Sequence, residues 1–411
     1  MARLTLYGIR RSFGKPPPRL PGSIGAARGG AVYFSGTSHL GNSGESMEFH
    51  EMLRKMVIEK ASDLFLKVGN PPSLRIDGSI HFLDTDELTA QDALEIFETI
   101  EDSKKQNFSR DTDLDVSYEL PGIGRFRVNI FRQRGQLGFV FRHVEAKIPS
   151  FAELSLPEKQ LIKLASQRRG LILVTGNTGS GKSTTLATMI NHINANFNRH
   201  IISIEDPIEF MFKDKKSIID QREVNIDTPS FGMALKYAVR QSPDVVLIGE
   251  MRDRETMEAA LSAAETGHLV LSTLHSINAM QTVERIINFF PPHQHNLIRL
   301  QLSLILIGVV SQRLIPRKKG GGRIPAIEIL MQTPTTSEML AEGKTRELYG
   351  ALRDGEYFGC QTFNQSLRKL YQGDMISLED ALGASDYPDE LKLELKGVYK
   401  GTSVTDFNFE Y

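Results

Sequence analysis

A glycine-rich segment in the middle of the chain has the residue types and spacing needed to bind a phosphate. Its residues are Gly176, Asn177, Thr178, Gly179, Ser180, Gly181, Lys182, Ser183 and Thr184. The glycines permit a tight turn that points successive backbone N–H groups at phosphate oxygens. In this pattern the lysine reaches the β- and γ-phosphates, and the serine hydroxyl is a ligand type for Mg²⁺. The segment therefore predicts a nucleoside triphosphate site.

Polar side chains also follow short apolar stretches elsewhere in the chain. They are Glu205, Asp206 and Glu209 after residues 201–204, Glu250 after 245–248, and His268 and His275 on either side of 269–272. A lone carboxylate is usually only solvated, but carboxylates at strand ends beside a phosphate loop can hold hydrated Mg²⁺ or orient a water. The two histidines have no further ligand at the spacing of a structural zinc site, so we exclude zinc.

The elements that must position these residues form an α/β core. The phosphate segment follows an apolar stretch, 171–174, and from Gln160 onward such stretches alternate with helical patterns. This alternation predicts a mostly parallel sheet with the phosphate loop at its carboxyl edge. We assign the core to residues 157–332, a proline-containing linker to 145–156, and a mainly helical region with a tail to 333–411.

Residues 47–144 predict a small α+β domain with an antiparallel sheet. Apolar residues recur at helical spacing from Phe49, and Phe126, Val128 and Ile130 alternate with polar residues as in a strand. The same region carries the arginines Arg125, Arg127, Arg132, Arg134 and Arg142. These arginines form either a solvated basic face or a group that reaches a nucleotide in another domain or subunit.

Composition limits the remaining function classes. The 411 residues include 49 lysines and arginines against 50 aspartates and glutamates, and this balance argues against a general nucleic-acid-binding surface. The single cysteine, Cys360, excludes an intrachain disulfide. The longest apolar run, Leu302 to Val310, is far shorter than the roughly 20 residues of a membrane span. Residues 1–46 are basic and rich in glycine and proline, which predicts a disordered extension or a mis-assigned start before Met47.

Four stretches together resemble the secretion ATPase superfamily, the hexameric motors of type II and type IV secretion and of type IV pili. GNTGSGKSTT resembles its Walker A motif, and His200 to Phe210 (HIISIEDPIEF) resembles its Asp box. Ser242 to Thr256 resembles its atypical Walker B motif, which ends in glutamate, and Ala263 to Ser276 resembles its His box. The order of the domains is similar to that of the twitching-motility branch, PilT and PilU.

Within that branch the C-terminal region favours a PilU-like protein. Retraction ATPases of the PilT type carry the signature Ala-Ile-Arg-Asn-Leu-Ile-Arg-Glu, whereas this chain has Thr335 to Glu342 (TTSEMLAE) in its place. The long tail after Ala384 is also more similar to PilU. The resemblance implies a RecA-like P-loop core preceded by a PAS-like N-terminal domain.

The resemblance also implies roles for single residues. ATP and Mg²⁺ would bind at the Walker A loop, with Ser183 and Glu250 in the Mg²⁺ shell. Glu209 would be the general base, and His268 and His275 would sense the γ-phosphate. Arg125, Arg127 and Arg142 would close over a nucleotide that a neighbouring subunit binds, and Arg240 and Arg254 are weaker candidates.

The function implied by the resemblance is that of a hexameric ATPase motor for type IV pilus retraction. It would act at the cytoplasmic face of the inner membrane through a pilus platform protein, alongside a companion pilus ATPase and without nucleic acid. One alternative is an accessory ring subunit that depends on the companion ATPase. The other is a DNA-translocating P-loop ATPase.

Overall fold

The structure, a computed structural model, describes residues 48–76, 78–100, 113–144 and 147–397. These residues belong to one compact unit. The expectations for residues 1–46 and for the end of the C-terminal tail lie outside the described residues. Within the described ranges, no helix combines the length and the hydropathy that a membrane span requires.

An antiparallel sheet forms the N-terminal part. Its strands are β1 (Asp63–Lys67), β2 (Ser73–Ile76), β3 (Ser79–Phe82), β4 (Asp113–Leu120), β5 (Gly124–Gln133) and β6 (Gln136–Val144), in the order β3-β2-β1-β6-β5-β4. Helices α1 (Phe49–Ile58) and α2 (Ala90–Thr99) contribute to its apolar core. Helix α2 begins at a capping box between Thr89 and Asp92, which satisfies free N–H groups of the first turn.

The second sheet carries the predicted phosphate site. Its strands are β7 (Gly170–Thr175), β8 (His200–Glu205), β9 (Ile218–Glu223), β10 (Val245–Ile248), β11 (Leu269–Leu274), β12 (Leu306–Pro316) and β13 (Arg323–Met331). They lie in the order β13-β12-β7-β11-β10-β8-β9, and all neighbours are parallel except β12 and β13. Every residue of β7, β10 and β11 is buried, as expected when both faces of a parallel sheet are covered.

Helices cover this sheet and continue into the C-terminal region. Those of the core are α3 (Glu158–Ala165), α4 (Lys182–Asn196), α5 (Phe231–Ala238), α6 (Arg254–Glu265), α7 (Ala279–Asn288) and α8 (His295–Ile305). Those that follow are α9 (Pro334–Glu342), α10 (Leu348–Asp354), α11 (Phe363–Gln372), α12 (Leu378–Gly383) and α13 (Pro388–Leu395). Short 3₁₀ turns occupy Pro292–Gln294, Thr345–Glu347 and Glu356–Phe358.

The predicted fold class is confirmed in its main features. The core sheet is mostly parallel, an antiparallel α+β part precedes it, and the region after β13 is helical. Strand β6 ends at Val144 and helix α3 begins at Glu158. These bounds are compatible with the proposed linker at 145–156, and the domain limits themselves stay a prediction.

Candidate nucleotide-binding site

The phosphate loop joins β7 to α4 in a conformation that requires glycine. Gly176, Gly179 and Gly181 all have positive φ angles, of 146°, 75° and 87°. A Cβ atom on Gly176 would lie 2.4 Å from the backbone oxygen of Gln312, which leaves no room for a side chain. Helix α4 begins directly after Gly181. The loop therefore leads into a helix N-terminus, where free N–H groups favour an anion.

Lys182 lies inside the loop and is 8% exposed. Its Nζ donates to the carbonyl oxygens of Gly176, at 3.0 Å, and Asn177, at 3.1 Å. Burial lowers the pKa of Lys182, whereas the charges of Glu250 and Glu209 raise it. The ammonium group is thus fixed at the base of the loop, close to carboxylates on the other side of the cleft. Phosphate oxygens that enter the loop would be within reach of this cation.

An open cleft of about 330 Å³ connects the loop with the carboxyl ends of β8, β10 and β11. The polar side chains that line it are Thr178, Lys182, Ser183, Glu205, Asp206, Glu209, Glu250, Arg252, Thr273 and His275. This volume lies within the range of small-molecule sites, and ligands of parallel sheets bind at this edge. The structure thus brings the Walker A loop together with the predicted carboxylates and one of the two predicted histidines.

Two glutamates, one at the end of β8 and one in the loop after it, have different environments. Glu205 is buried at the end of the strand, and this burial raises its pKa to about 7. Gln221 Nε2 lies 3.4 Å from Glu205 Oε1. Glu209 lies in the same cleft with an exposed side chain. The exposed carboxylate is therefore the one free to approach a bound water.

Glu250, which follows β10, is held between the side chains of Arg252 and His275. Arg252 Nε donates to its Oε2 at 2.8 Å, and His275 Nε2 lies 3.2 Å from its Oε1. Burial and the charge of Lys182 lower the pKa of His275, although Glu250 acts in the opposite direction. Arg252 also lies 3.7 Å from Asp206. These contacts connect the carboxylates that follow two neighbouring strands.

The donor set suits a hydrated Mg²⁺ ion. Ser183 supplies a hydroxyl oxygen and Glu250 a carboxylate, and both line the cleft. Mg²⁺ in nucleotide sites usually takes only one or two protein oxygens and fills its octahedron with phosphates and waters. Within the described ranges, no three His, Cys, Asp or Glu side chains form a metal-binding group. Ser183 and Glu250 are therefore the protein ligands that this cleft would offer.

Comparison with known proteins identifies the family. A model of the family described as type II/IV secretion system protein matches residues 48–344. The chain belongs to this family. The match covers the antiparallel sheet, the core sheet and the helices up to α9.

Similar members of the type II/IV secretion family are pilus proteins. The type IV pilus ATPase PilU of Pseudomonas aeruginosa is 44% identical over 85% of this chain and 92% of its own length. The retraction ATPase PilT of the same organism is 41% identical over 84% of this chain and 99% of its own length. A crystal structure of the pilus retraction motor PilT with bound ADP gives a TM-score of 0.80 and 46% identity over 84% of this chain and 99% of that one.

These findings confirm the predicted resemblance to the PilT and PilU branch and the predicted ATPase class. They also confirm the fold class, because the PilT structure and this chain align over most of both lengths. The identities to PilU and PilT are close to each other. The preference for a PilU-like protein therefore stays a prediction.

His268 does not lie in the cleft of its own chain. It precedes β11, whereas His275 follows that strand. The six residues of β11 span about 20 Å, so the two histidines lie at opposite ends of this strand. His268 Nδ1 instead lies 2.9 Å from the carbonyl oxygen of Ala263 and 3.2 Å from the Thr266 hydroxyl. The expected γ-phosphate contact of His268 is therefore not found in this subunit, and the contact of the second histidine stays a proposal.

Arg125 makes a contact that we did not expect. Its Nη2 lies 2.7 Å from Glu223 Oε2, at the end of β9 in the core of the same chain. The same nitrogen donates to the hydroxyl of Ser117 at 3.0 Å. Because this guanidinium is engaged by its own core, the predicted contact with a neighbour's nucleotide is not the one that the structure shows.

Arg127 and Arg142 are more accessible than Arg125. They face each other across β5 and β6, and Arg142 in turn faces the buried Asp63 across β6 and β1. Two nitrogens of Arg142 donate to Asp63 Oδ1, at 2.9 and 2.7 Å, while 64% of its side chain stays exposed. Arg127 Nε lies 3.9 Å from Asp115. Neither lines the cleft of its own chain, so their predicted role in a neighbouring site stays a proposal.

Three residues that contact the site in the structure are not predicted from the sequence. Arg252 follows Glu250 by two residues, and the strand-end argument that selected the glutamate would also have found it. Gln312 braces the phosphate loop from β12, and Glu223 contacts the loop after β8 from β9. Both contacts join a strand to a loop that is brought close only in the folded sheet, and no local sequence pattern marks them.

Proposed function

We infer that the chain is an ATP-hydrolysing motor of type IV pilus retraction. The observation that carries this inference is the cleft in which Lys182 of the phosphate loop faces Glu209 and Glu250. The PilT retraction motor, which aligns with this chain over most of its length, was solved with bound ADP. A phosphate loop opposite carboxylates at strand ends is the arrangement used to position a triphosphate and a water.

Within the cleft, the residues have separate roles. The loop N–H groups and Lys182 would bind and orient the phosphates of ATP, so that the terminal phosphoryl group points toward Glu209. Glu209 would accept a hydrogen bond from the attacking water and take its proton. Ser183 and Glu250 would hold Mg²⁺, which when bound would neutralise charge on the phosphate oxygens. His275 and Arg252 would hold Glu250 in place through the contacts that they already make.

Assembly into a hexameric ring is the next part of the proposal. Arg127, Arg142 and Arg75 lie on one row of the antiparallel sheet, separated only by the buried Asp63. Arg142 and Arg75 contact Asp63, and Arg127 lies near Asp115. Three arginines against two aspartates still leave a surplus positive charge on this face, which suits phosphates. A neighbouring copy that brings this face over the cleft would complete the site and exclude water, which strengthens the charge interactions.

The ring would pass its motion to other pilus components. We propose an inner-membrane platform protein as the partner on which the ring acts, from the cytoplasmic side, and a companion pilus ATPase as a second partner. Type IV pilus ATPases are the named relatives that support this part of the proposal. Hydrolysis would rotate the antiparallel sheet against the core in each subunit.

Two variants test the proposed activity. Lys182→Ala should lose ATP turnover and nucleotide binding, because the loop loses its cation. Glu209→Gln should bind ATP with normal affinity and lose about 10²–10⁴-fold in turnover, the contribution typical of a general base. Phosphate release and equilibrium binding of a fluorescent ATP analogue measure the two quantities. Full turnover in Lys182→Ala would exclude this cleft as the site of ATP hydrolysis. Twitching that persists with this variant, in the presence of the companion ATPase, would favour the accessory ring subunit instead.

A further inference from the structure

A single carboxylate connects the antiparallel sheet with the loop that carries Glu209. Glu223 is buried at the end of β9, and its Oε2 accepts from Arg125 Nη2 at 2.7 Å. The hydroxyl of Ser117 on β4 lies 3.2 and 3.4 Å from its two oxygens. The backbone N–H of Ile208, which directly precedes Glu209, donates to the same Oε2 at 3.4 Å. One oxygen thus contacts the N-terminal sheet and the catalytic loop together.

The loop around Glu209 has a second support from the same strand. Gln221, two residues before Glu223 on β9, donates to the carbonyl oxygen of Phe210 at 2.9 Å. Its Oε1 accepts from the N–H of Phe212 at 2.9 Å. Residues two apart on a strand share a face, so the side chains of Gln221 and Glu223 contact the loop from the same side. Glu209 lies between these two supports with its own side chain exposed.

The N-terminal sheet also contacts this loop directly. Arg125 Nη1 lies 3.9 Å from the sulfur of Met211, while its Nη2 holds Glu223. Glu205 is paired in register with Glu223 across β8 and β9. Without the arginine, Glu223 would be buried without its cation, next to a second buried carboxyl group on the adjacent strand, and this would be unfavourable.

We propose that Glu223 and Arg125 are positioning residues for Glu209, and that the place of the general base depends on the place of the N-terminal sheet. This inference rests on the role proposed for Glu209. When the sheet rests on the core, Arg125 fixes Glu223, and Glu223 fixes the N–H next to Glu209. When the sheet rotates away, the carboxylate loses its cation and the loop loses one support. Domain position and hydrolysis are then linked through two side chains that do not touch the nucleotide.

The first test separates turnover from nucleotide binding. Arg125→Ala and Glu223→Ala should lower kcat by up to about 100-fold, the cost of displacing a catalytic group by roughly 1 Å. The affinity for a fluorescent ATP analogue should stay within about threefold of the native value, because the phosphate loop is unchanged. Arg125→Lys keeps the charge but not the fork of donors, so its kcat should lie between the native value and that of Arg125→Ala. A native kcat in both alanine variants would overturn the inference.

Arg368→Ala is the matched control. Arg368 Nη1 lies 3.3 Å from Glu394 Oε2, and the exposure of its side chain, 19%, equals that of Arg125. This pair lies in the C-terminal helices, away from the cleft. The control should lose thermal stability to a similar extent and keep its kcat. A fall in kcat equal to that of Arg125→Ala would show that any lost half-buried ion pair has this effect, and would overturn the inference.

An exchange of the two charges distinguishes positioning from simple stabilisation. The double variant Arg125→Glu with Glu223→Arg restores an ion pair, but the arginine offers no acceptor to the N–H of Ile208. It should regain thermal stability relative to Arg125→Glu without regaining kcat. Recovery of both would indicate a structural pair only. Should this variant not fold, Glu223→Gln keeps the acceptor and the shape, and should retain more kcat than Glu223→Ala.

Glu209→Gln in the same assays distinguishes failure of this inference from failure of the proposed function. If Glu209→Gln is inactive while Arg125→Ala and Glu223→Ala turn over at the native rate, only the positioning role is wrong. If Glu209→Gln turns over at the native rate, the general base is wrong, and the inference that rests on it is wrong as well.

Discussion

Gln312 is a single side chain on which the geometry of the phosphate loop depends. It is 2% exposed, its Nε2 donates to the carbonyl oxygen of Ser180 at 2.6 Å, and its Oε1 accepts from the hydroxyl of Thr185 at 3.0 Å. Gln312→Ala would leave two buried polar groups without partners, at about 1–3 kcal/mol each. Part of this cost should fall on the loop, so we expect the Kd for an ATP analogue to rise about tenfold, measured by equilibrium titration.

Gln332→Ala serves as the control for Gln312→Ala. Gln332 donates to the carbonyl oxygens of Ser303 and Leu304, at 2.9 and 3.2 Å, and does not line the cleft. It should lose stability while its nucleotide affinity stays native. Equal affinities in the two variants would show that Gln312 does not shape the loop.

At the scale of residues, the sequence predicts those site residues that are defined by local order along the chain. Lys182, Glu209 and Glu250 are found because a glycine loop and apolar strands precede them directly. Gln312 and Glu223 act across strands that are paired only in the folded sheet, so their contacts have no signature in spacing. The sequence also groups His268 with His275, because both belong to one motif. In the structure, the strand between them separates their positions by about 20 Å.

Strand β13 carries a buried carboxyl group whose ionisation should affect stability. Glu328 is 4% exposed, and its Oε1 accepts from the N–H of Ala279 at the start of α7. Burial raises its pKa from 4.5 to about 7, and Asp386 adds to the shift while Arg313 opposes it. The fold therefore favours the protonated form. The contribution of Glu328 to stability therefore falls as the pH rises from about 4.5 to about 7 and then stays level.

Glu328→Gln should remove this pH dependence. The variant keeps the acceptor for Ala279 and never ionises, so its advantage in free energy of unfolding should grow by about 3 kcal/mol between pH 4.5 and pH 8. Urea denaturation followed by circular dichroism across this range measures the difference. Glu338→Gln, at an exposed position on α9, is the control for the chemical change itself. Parallel pH curves for the native chain and Glu328→Gln would contradict the assignment.

At the scale of elements, the sequence predicts best the strands that are buried on both faces. The four apolar stretches expected in the core all lie within β7, β8, β10 and β11. The sequence does not predict strand β9, because its residues, IIDQRE, are mostly polar and lie at the edge of the sheet. Strand β12 is hidden because it follows α8 with no loop between Ile305 and Leu306. One apolar run therefore covers the end of a helix and the start of a strand.

At the scale of the whole molecule, we propose that the arginine row of Arg75, Arg127 and Arg142 and the cleft are two halves of one site between subunits. Within one subunit, Arg127 and Arg142 lie on the antiparallel sheet and do not line the cleft. The sequence predicts both halves, since each is a local pattern. It does not predict that Arg125 belongs to neither half, because its partner Glu223 lies 98 residues further along the chain.

Mixing two inactive variants tests whether the halves meet between subunits. Arg127→Ala removes the arginine and leaves the cleft intact, whereas Glu250→Ala damages the cleft and leaves the arginine intact. In a ring assembled at random from equal amounts, about a quarter of the interfaces would combine an intact cleft with an intact arginine. ATP turnover of the mixture should therefore recover to about a quarter of the native rate, well above either variant alone.

A second mixture controls for subunit exchange that acts by other means. Lys182→Ala and Glu250→Ala both damage the same cleft, so no interface in their mixture regains a complete site. This mixture should stay inactive although its subunits assemble and exchange as in the first. Recovery in both mixtures would show that assembly alone restores turnover. Recovery in neither, with exchange verified by labelled subunits, would place Arg127 outside the neighbouring site, and the same pair of mixtures with Arg142→Ala would then test the other accessible arginine.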